Sequence, residues 1–328
     1  MLHRFAKFLV GCTVLLVLAG SLVTSNAAGL SVPDWPTSYG YNMFAFPPSM
    51  WVANILYEHG HRLIASGVGF LTIVLAVWLW IAEPRRWMKY LGLAALGAVV
   101  AQGVLGGLTV LFFLPPAIST AHAGLAEIFF CLTIAIALFT SPGWIRGYGE
   151  KAGSVGAEDA VLRGVATATT AIIYCQIIIG AWMRHTGAGL AIPDFPLMFG
   201  HIIPDHWDPL IAIHFAHRTG ALVVTLSVVA TVGHIFYHHP HRRELARPAM
   251  LIVALVATQI TLGALTVLTR RNVTINSLHV VCGALVLTTS LVITLRSWRV
   301  KFGADGARAA ASAASRESSA ATLSGVRA

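Results

Sequence analysis

Four of the chain's 14 histidines stand at repeated places: His61 with His217, and His122 with His279. Each lies at the opening of a long apolar stretch, and within a half the two are 61 or 62 residues apart. Alternate helices of a membrane bundle run the same way. A four-helix bundle can therefore aim two such imidazoles at each other across its interior. An iron held by two neutral imidazoles, with a flat macrocycle between the helices, needs that arrangement. Gly103, Gly106 and Gly107, and later Gly263 and Ala264, leave room for such a ring. One lone intramembrane histidine more often bonds to a neighbour. Four at one depth in a twofold pattern argue for ligation, because polar groups in a bilayer are costly and usually functional. The other histidines read as bland: His238, His239 and His241 as a solvated basic face beside Arg242 and Arg243, His185, His201 and His206 as loop residues, His234 as structural, and His59 as facing away from His61.

The elements that position these residues follow from composition. The 328 residues are 56% hydrophobic and 11% charged, with a mean hydropathy of +0.74. A soluble domain carries about 25% charged residues. A disordered chain, a disulfide-stapled module and an ordinary cytosolic enzyme are excluded, and an all-α integral membrane protein remains. Eight apolar stretches, near 8–25, 61–81, 91–112, 119–140, 163–183, 214–236, 249–268 and 277–296, are each long enough to span a bilayer. The first resembles a signal peptide, but its counterpart recurs inside the chain, so it is read as a retained helix. Cys12, Cys131, Cys175 and Cys282 all fall inside apolar runs, so no disulfide framework or CxxC metal pair is expected.

The net charge of +9 does not point to nucleic acid, because the basic residues cluster between the apolar runs as topology signals do. Seventeen of the 22 Lys and Arg fall on the side of the two termini and the linkers 82–90, 141–162 and 237–248. The other five are Arg62, Arg184, Arg218, Arg270 and Arg271. This predicts a multi-pass protein of the plasma (inner) membrane with both termini cytoplasmic.

The chain repeats itself. Gly20–Gly40 matches Gly180–Gly200 at an offset of 160, His61-Arg62 matches His217-Arg218 at 156, and the run from Gln102 to His122 matches that from Gln259 to His279 at 157. Four helices per repeat is an even number, so the repeat is parallel, unlike inverted-repeat transporters. The expected organisation is a four-helix bundle over 1–140, a cytoplasmic linker over 141–162, a second bundle over 163–298, and a disordered Ala/Ser/Gly-rich cytoplasmic tail over 299–328.

The halves differ at a few places. Glu58, one helical turn before His61, faces His214 in the alignment of the repeats. Read from the residues, it is either a cap of its helix or a functional acid. Glu127 is a second one-sided acid, off the ligand face, opposite Ala284. Arg184, Arg270 and Arg271 break the charge pattern only in the second half, and they suit propionate carboxylates, as Arg62 and Arg218 do where they are not snorkelling. The PDWP and PDFP loops, with Asp34, Trp35, Asp194 and Phe195, read as a lid over the bundle mouth or as an interfacial aromatic belt.

EHGHR at 58–62, HFAHR at 214–218, His122, His279 and the PDWP/PDFP loops together resemble the haem A synthase family, from about residue 8 to 298. The resemblance implies an oxidoreductase that converts the methyl group of haem O to the formyl group of haem A for cytochrome oxidase, by two hydroxylations and loss of water. It implies a haem b cofactor on His217 and His279, the substrate haem iron facing His61 and His122, and a catalytic role for Glu58. Some members carry a cysteine pair in the first outer loop. Here those positions read Val32 and Ser38, so the chain would be of the cysteine-free kind. The partners implied are a haem O synthase, an electron acceptor of unassigned kind and a second copy in a homo-oligomer. Two other classes stay open on the residues alone: a non-enzymatic dihaem cytochrome b that transfers electrons, and a haem carrier. Each would leave Glu58 without a chemical role.

Overall fold

The computed structural model describes the backbone of residues 1–146 and 159–325, and side chains up to residue 299. Among the described residues it is all-helical apart from its loops and turns, with eight helices long and apolar enough to cross a membrane. These are α1 (Leu2–Ser25), α2 (Asn54–Ala82), α3 (Arg86–Leu111), α4 (Pro116–Phe139), α6 (Ala160–His185), α7 (Pro209–His238), α8 (Arg243–Leu268) and α9 (Val273–Gly325), with a five-residue α5 (Pro142–Arg146) after the fourth. Only helices satisfy their own backbone in hydrocarbon, which is why long apolar runs take this form. The helices begin earlier than apolarity suggests. The α2 helix starts at Asn54, seven residues before His61, because the polar residues of that segment face protein and loop rather than lipid.

Helices α1 to α4 pack in a ring, and α6 to α9 pack in another. Leu9, Leu75, Leu79, Met88 and Ile136 fill the first core; Leu162, Ile235, Leu245, Ile252 and Leu287 fill the second. The bundles meet along a seam of α1 and α4 against α6 and α9. Gly124 lets α4 and α6 approach, since a Cβ there would lie 2.6 Å from Ile178 Cδ1. Ser25 Oγ joins three helices at the seam, accepting from Arg184 Nη2 at 2.8 Å and Asn276 Nδ2 at 3.1 Å and pairing with Ser277 Oγ at 2.9 Å.

The backbone shows matched irregularities at the offsets of the sequence repeat. Cis bonds occur at Trp35-Pro36 and Phe195-Pro196. Short bridges pair Ser38 with Tyr41 and Met198 with His201. Tyr39 and Phe199 are left-handed, with φ of 51° and 55°, each followed by a left-handed glycine. The turn before α4 has left-handed Phe113 and Leu114, and the turn before α9 has left-handed Arg270 and Arg271.

The backbone of the tail continues as α9 to Gly325. The linker 141–162 contains α5 and the first residues of α6, and its residues 147–158 lie outside the described residues.

Candidate functional site

Each of the four repeated histidines rests on a glycine of the neighbouring helix. A Cβ on Gly20 of α1 would lie 3.0 Å from His61 Cε1, and one on Gly180 of α6 would lie 2.8 Å from His217 Cε1. The corresponding distances are 3.2 Å from Gly106 of α3 to His122 Cε1 and 3.1 Å from Gly263 of α8 to His279 Cε1. The glycines are therefore seats that let the Cε1 edge of a ring come close to a backbone. All four histidines are part-buried. Nδ1 of His61, His122 and His279 is enclosed without a hydrogen-bond partner. Buried polar atoms are normally paired, so imidazoles set on glycine in two equal pairs fit residues kept to ligate a haem iron. In the second half, the Gln176 amide Nε2 sits 3.0 Å from His217 Nδ1 and donates to its carbonyl at 2.7 Å. Leu16 occupies the Gln176 place in the first half. The sequence reading missed Gly20, Gly180 and Gln176; the first two lie inside the repeat that it had found.

The glycines expected to leave room divide into two kinds. Gly106 and Gly263 carry histidine rings. Gly107 is buried under the indole of Trp35, whose Cδ2 would lie 2.5 Å from a Cβ there, and Gly103 is exposed with open space around it. The second half pairs Phe195 with Ala264 at the equivalent positions, a smaller ring with a larger backbone residue. Gly107→Ala is expected to displace Trp35 and cost about 1–3 kcal/mol. A drop in thermal stability in detergent checks this, as does recovery when Trp35→Phe is added. A Gly107→Ala chain as stable as its parent would show that Trp35 is not seated there.

Glu58 is buried in the second turn of α2, where it does not cap the helix. Its Oε2 accepts the Val32 N–H at 2.8 Å, and its Oε1 pairs with Arg62 Nη2 at 2.7 Å. Arg62 also donates to the carbonyls of Val32, Asp34 and Thr37. The second half does the same with different atoms. His214 Nδ1 lies 3.2 Å from Ile192 N and its Nε2 lies 3.1 Å from Arg218 Nε, of which the neutral ring accepts at one, while Arg218 donates to the carbonyls of Ile192, Asp194 and Leu197. Arg62 and Arg218 thus clamp the PDWP and PDFP loops onto α2 and α7, a tertiary contact that spacing does not reveal.

Asp34 and Asp194 close those loops on themselves. Burial pushes the Asp34 carboxyl up, but hydrogen bonds from Gly40 N–H, the Thr37 hydroxyl and Tyr39 N–H outweigh it and hold the group below its ordinary range. Asp194 is lowered in the same way by Gly200 N–H and Phe199 N–H. His59 is fully buried, 3.2 Å from Ser38 Oγ and between the rings of Phe46 and Trp51.

Arg184 donates through Nη2 to Ser21 O and Ser25 Oγ at the seam, while Arg270 and Arg271 are exposed in the turn before α9. Glu127 is buried in α4 with Oε2 unpartnered. The four cysteines are free, as the sequence implied.

Two four-helix bundles of membrane-crossing helices, each with a pair of glycine-seated histidines under a clamped loop, define an integral membrane protein built on two like histidine-pair sites. The sequence model of the COX15-CtaA family, described as cytochrome oxidase assembly protein, matches residues 3–291, and the chain belongs to that family. It is similar to a protein named heme A synthase from Halalkalibacterium halodurans, at 29% identity over 90% of this chain and 97% of that one. A heme A synthase from Symbiobacterium thermophilum is 30% identical over 81% of this chain and 85% of its own length. One from Staphylococcus carnosus is 29% identical over 87% and 91%.

Proposed function

We propose that this chain oxidises the methyl group of haem O to the formyl group of haem A. The α1–α4 bundle takes the substrate between His61 and His122. The α6–α9 bundle holds a resident haem b through His217 and His279. One observation carries the reading: the histidine pairs share the same glycine seats, yet their neighbours differ, Glu58 against His214 and Gln176 against Leu16. Relatives named heme A synthase, similar over most of the chain, support it.

Conversion of a methyl to an aldehyde removes four electrons from the substrate. Haem b, when bound, supplies one-electron transfer toward an external acceptor. The protein's own groups do the rest. The Gln176 amide beside His217 Nδ1 fixes the ring plane, as outer partners of ligating histidines do. Glu58 lies one turn before His61, with its carboxylate tied to Arg62. It stabilises positive charge that builds at the methyl or takes a proton from the attacking water. Arg270 and Arg271, exposed at the same end, pair with propionates. The asymmetry of Lys and Arg supports an orientation with both termini in the cytoplasm. A haem O synthase supplies the substrate.

A second reading has its own observation. Glu58 and His214 perform the same loop clamp, as they would in an electron-transfer cytochrome with two equivalent haems. Co-expression with a haem O synthase, in a host that makes no haem A, separates the two. Extracted pigments are resolved by chromatography and mass. A formyl-bearing haem A peak, absent without this chain, is expected. A folded, haem-loaded chain that yields only haem B and haem O would overturn the enzymatic reading in favour of the cytochrome or a carrier.

A further inference from the structure

We propose that Asp159, His234 and His239 form a binding site for a divalent transition-metal ion of the zinc type, at the end of the α6–α9 bundle away from His217. The ligand atoms of the three residues lie within 4.8 Å of one another. Asp159 Oδ2 is 2.7 Å from His234 Nε2 and 2.7 Å from His239 Nε2. Zinc binds imidazole nitrogen and carboxylate oxygen at about 2.0–2.2 Å, which puts ligands of a tetrahedral site roughly 3.3 Å apart. The two Asp159–histidine distances need to lengthen by about 0.6 Å to admit the ion.

The ligands are held by the ends of two helices. Asp159 is the N-cap of α6, and its Oδ1 accepts the Leu162 N–H at 2.8 Å, which turns Oδ2 toward the histidines. His234 stands in the last turns of α7, and His239 is that helix's C-cap residue. The His234 ring also packs against that of His238 in a tilted arrangement, with centroids 4.4 Å apart. Such outer contacts orient metal ligands. The three side chains are 18–19% exposed, so an ion can enter and a water can take a fourth position.

The cluster is independent of the haem sites. His234 is 17 residues along α7 from His217, about 25 Å at 1.5 Å per residue. It has no equivalent in the other half, where Trp78 and Glu83 occupy the places of His234 and His239 at the offset of 156, and Glu83 pairs with Arg85. A bound ion would staple the start of α6 to the end of α7.

The test uses tag-free, haem-loaded, full-length protein in detergent, stripped with a chelator and then dialysed against micromolar zinc. The probe is zinc alone, counted per chain by elemental mass spectrometry. Asp159→Asn keeps a helix cap, since Asn caps as well as Asp, and His239→Gln leaves Asp159 and His234 in place. Parent protein and a His241→Gln control are expected to hold one more zinc per chain than either variant, whose binding weakens at least about 10-fold. An unchanged haem absorption spectrum shows that each protein is folded. Cobalt in the same site is expected to give the visible bands of a tetrahedral ion. Equal zinc in parent and variants would overturn the site and leave Asp159 as a hydrogen-bonded clamp between two helices.

Discussion

Replacing His217 or His279 with Ala is expected to strip the purified chain of its tightly held haem, whereas replacing His61 or His122 leaves that haem in place. Haem A output falls to background in all four. The physical reason is shared: each ring is set on a glycine backbone, so the truncated side chain leaves an apolar gap that no neighbouring group fills. The opposite imidazole then holds the iron alone, and affinity falls by about 100-fold or more, beyond the loss from an outer partner. The haem-to-protein ratio from the pyridine haemochrome, with chromatography of extracted haem, reads both effects. The division between halves carries the information. It assigns a resident haem to the half with Gln176 beside its ligand and a transient one to the half with Leu16. Equal haem loss from all four variants would make the two sites equivalent, which is the electron-transfer cytochrome.

Glu58→Gln is expected to lower haem A output by roughly 100- to 10,000-fold, the range for loss of a positioned acid–base group. His214→Gln lowers it far less. The comparison is sharp because the two residues sit against the same neighbours, a backbone N–H from the loop and an arginine four residues on. Glutamine carries no charge, and its single carbonyl oxygen keeps one of the two contacts while its NH2 faces the other donor, in both variants alike. Any loss from loosening the clamp, about 1–3 kcal/mol for hydrogen bonds to charged groups, appears in thermal stability for both variants. Only the loss of a carboxylate at the substrate appears in Glu58→Gln alone. Equal losses of activity would reduce Glu58 to a loop holder and remove it from the chemistry.

The histidine pairs, the eight spans and the doubling were readable because each rests on local or periodic information. An apolar run of bilayer length must be helical, and His61, His122, His217 and His279 recur at fixed offsets in those runs. What the arginines do was not readable. Arg62 and Arg184 look alike as outward cations, yet one threads three loop carbonyls and the other joins a serine on a different bundle. Gly106 and Gly107 are adjacent and chemically identical, but a helix turns its neighbours about 100° apart. One therefore seats His122 and the other Trp35.

By itself, then, the sequence determined the class of protein, the span count and which four histidines recur, since apolar length and repetition survive any packing. Only the tertiary structure decided that each histidine has a glycine seat, that Glu58 and His214 are one clamp in two chemistries, and that Asp159 meets His234 and His239 across 75 and 80 residues. Those contacts join residues far apart in the chain. Their partners are set by how helices pack, and no periodicity along one strand of sequence encodes that.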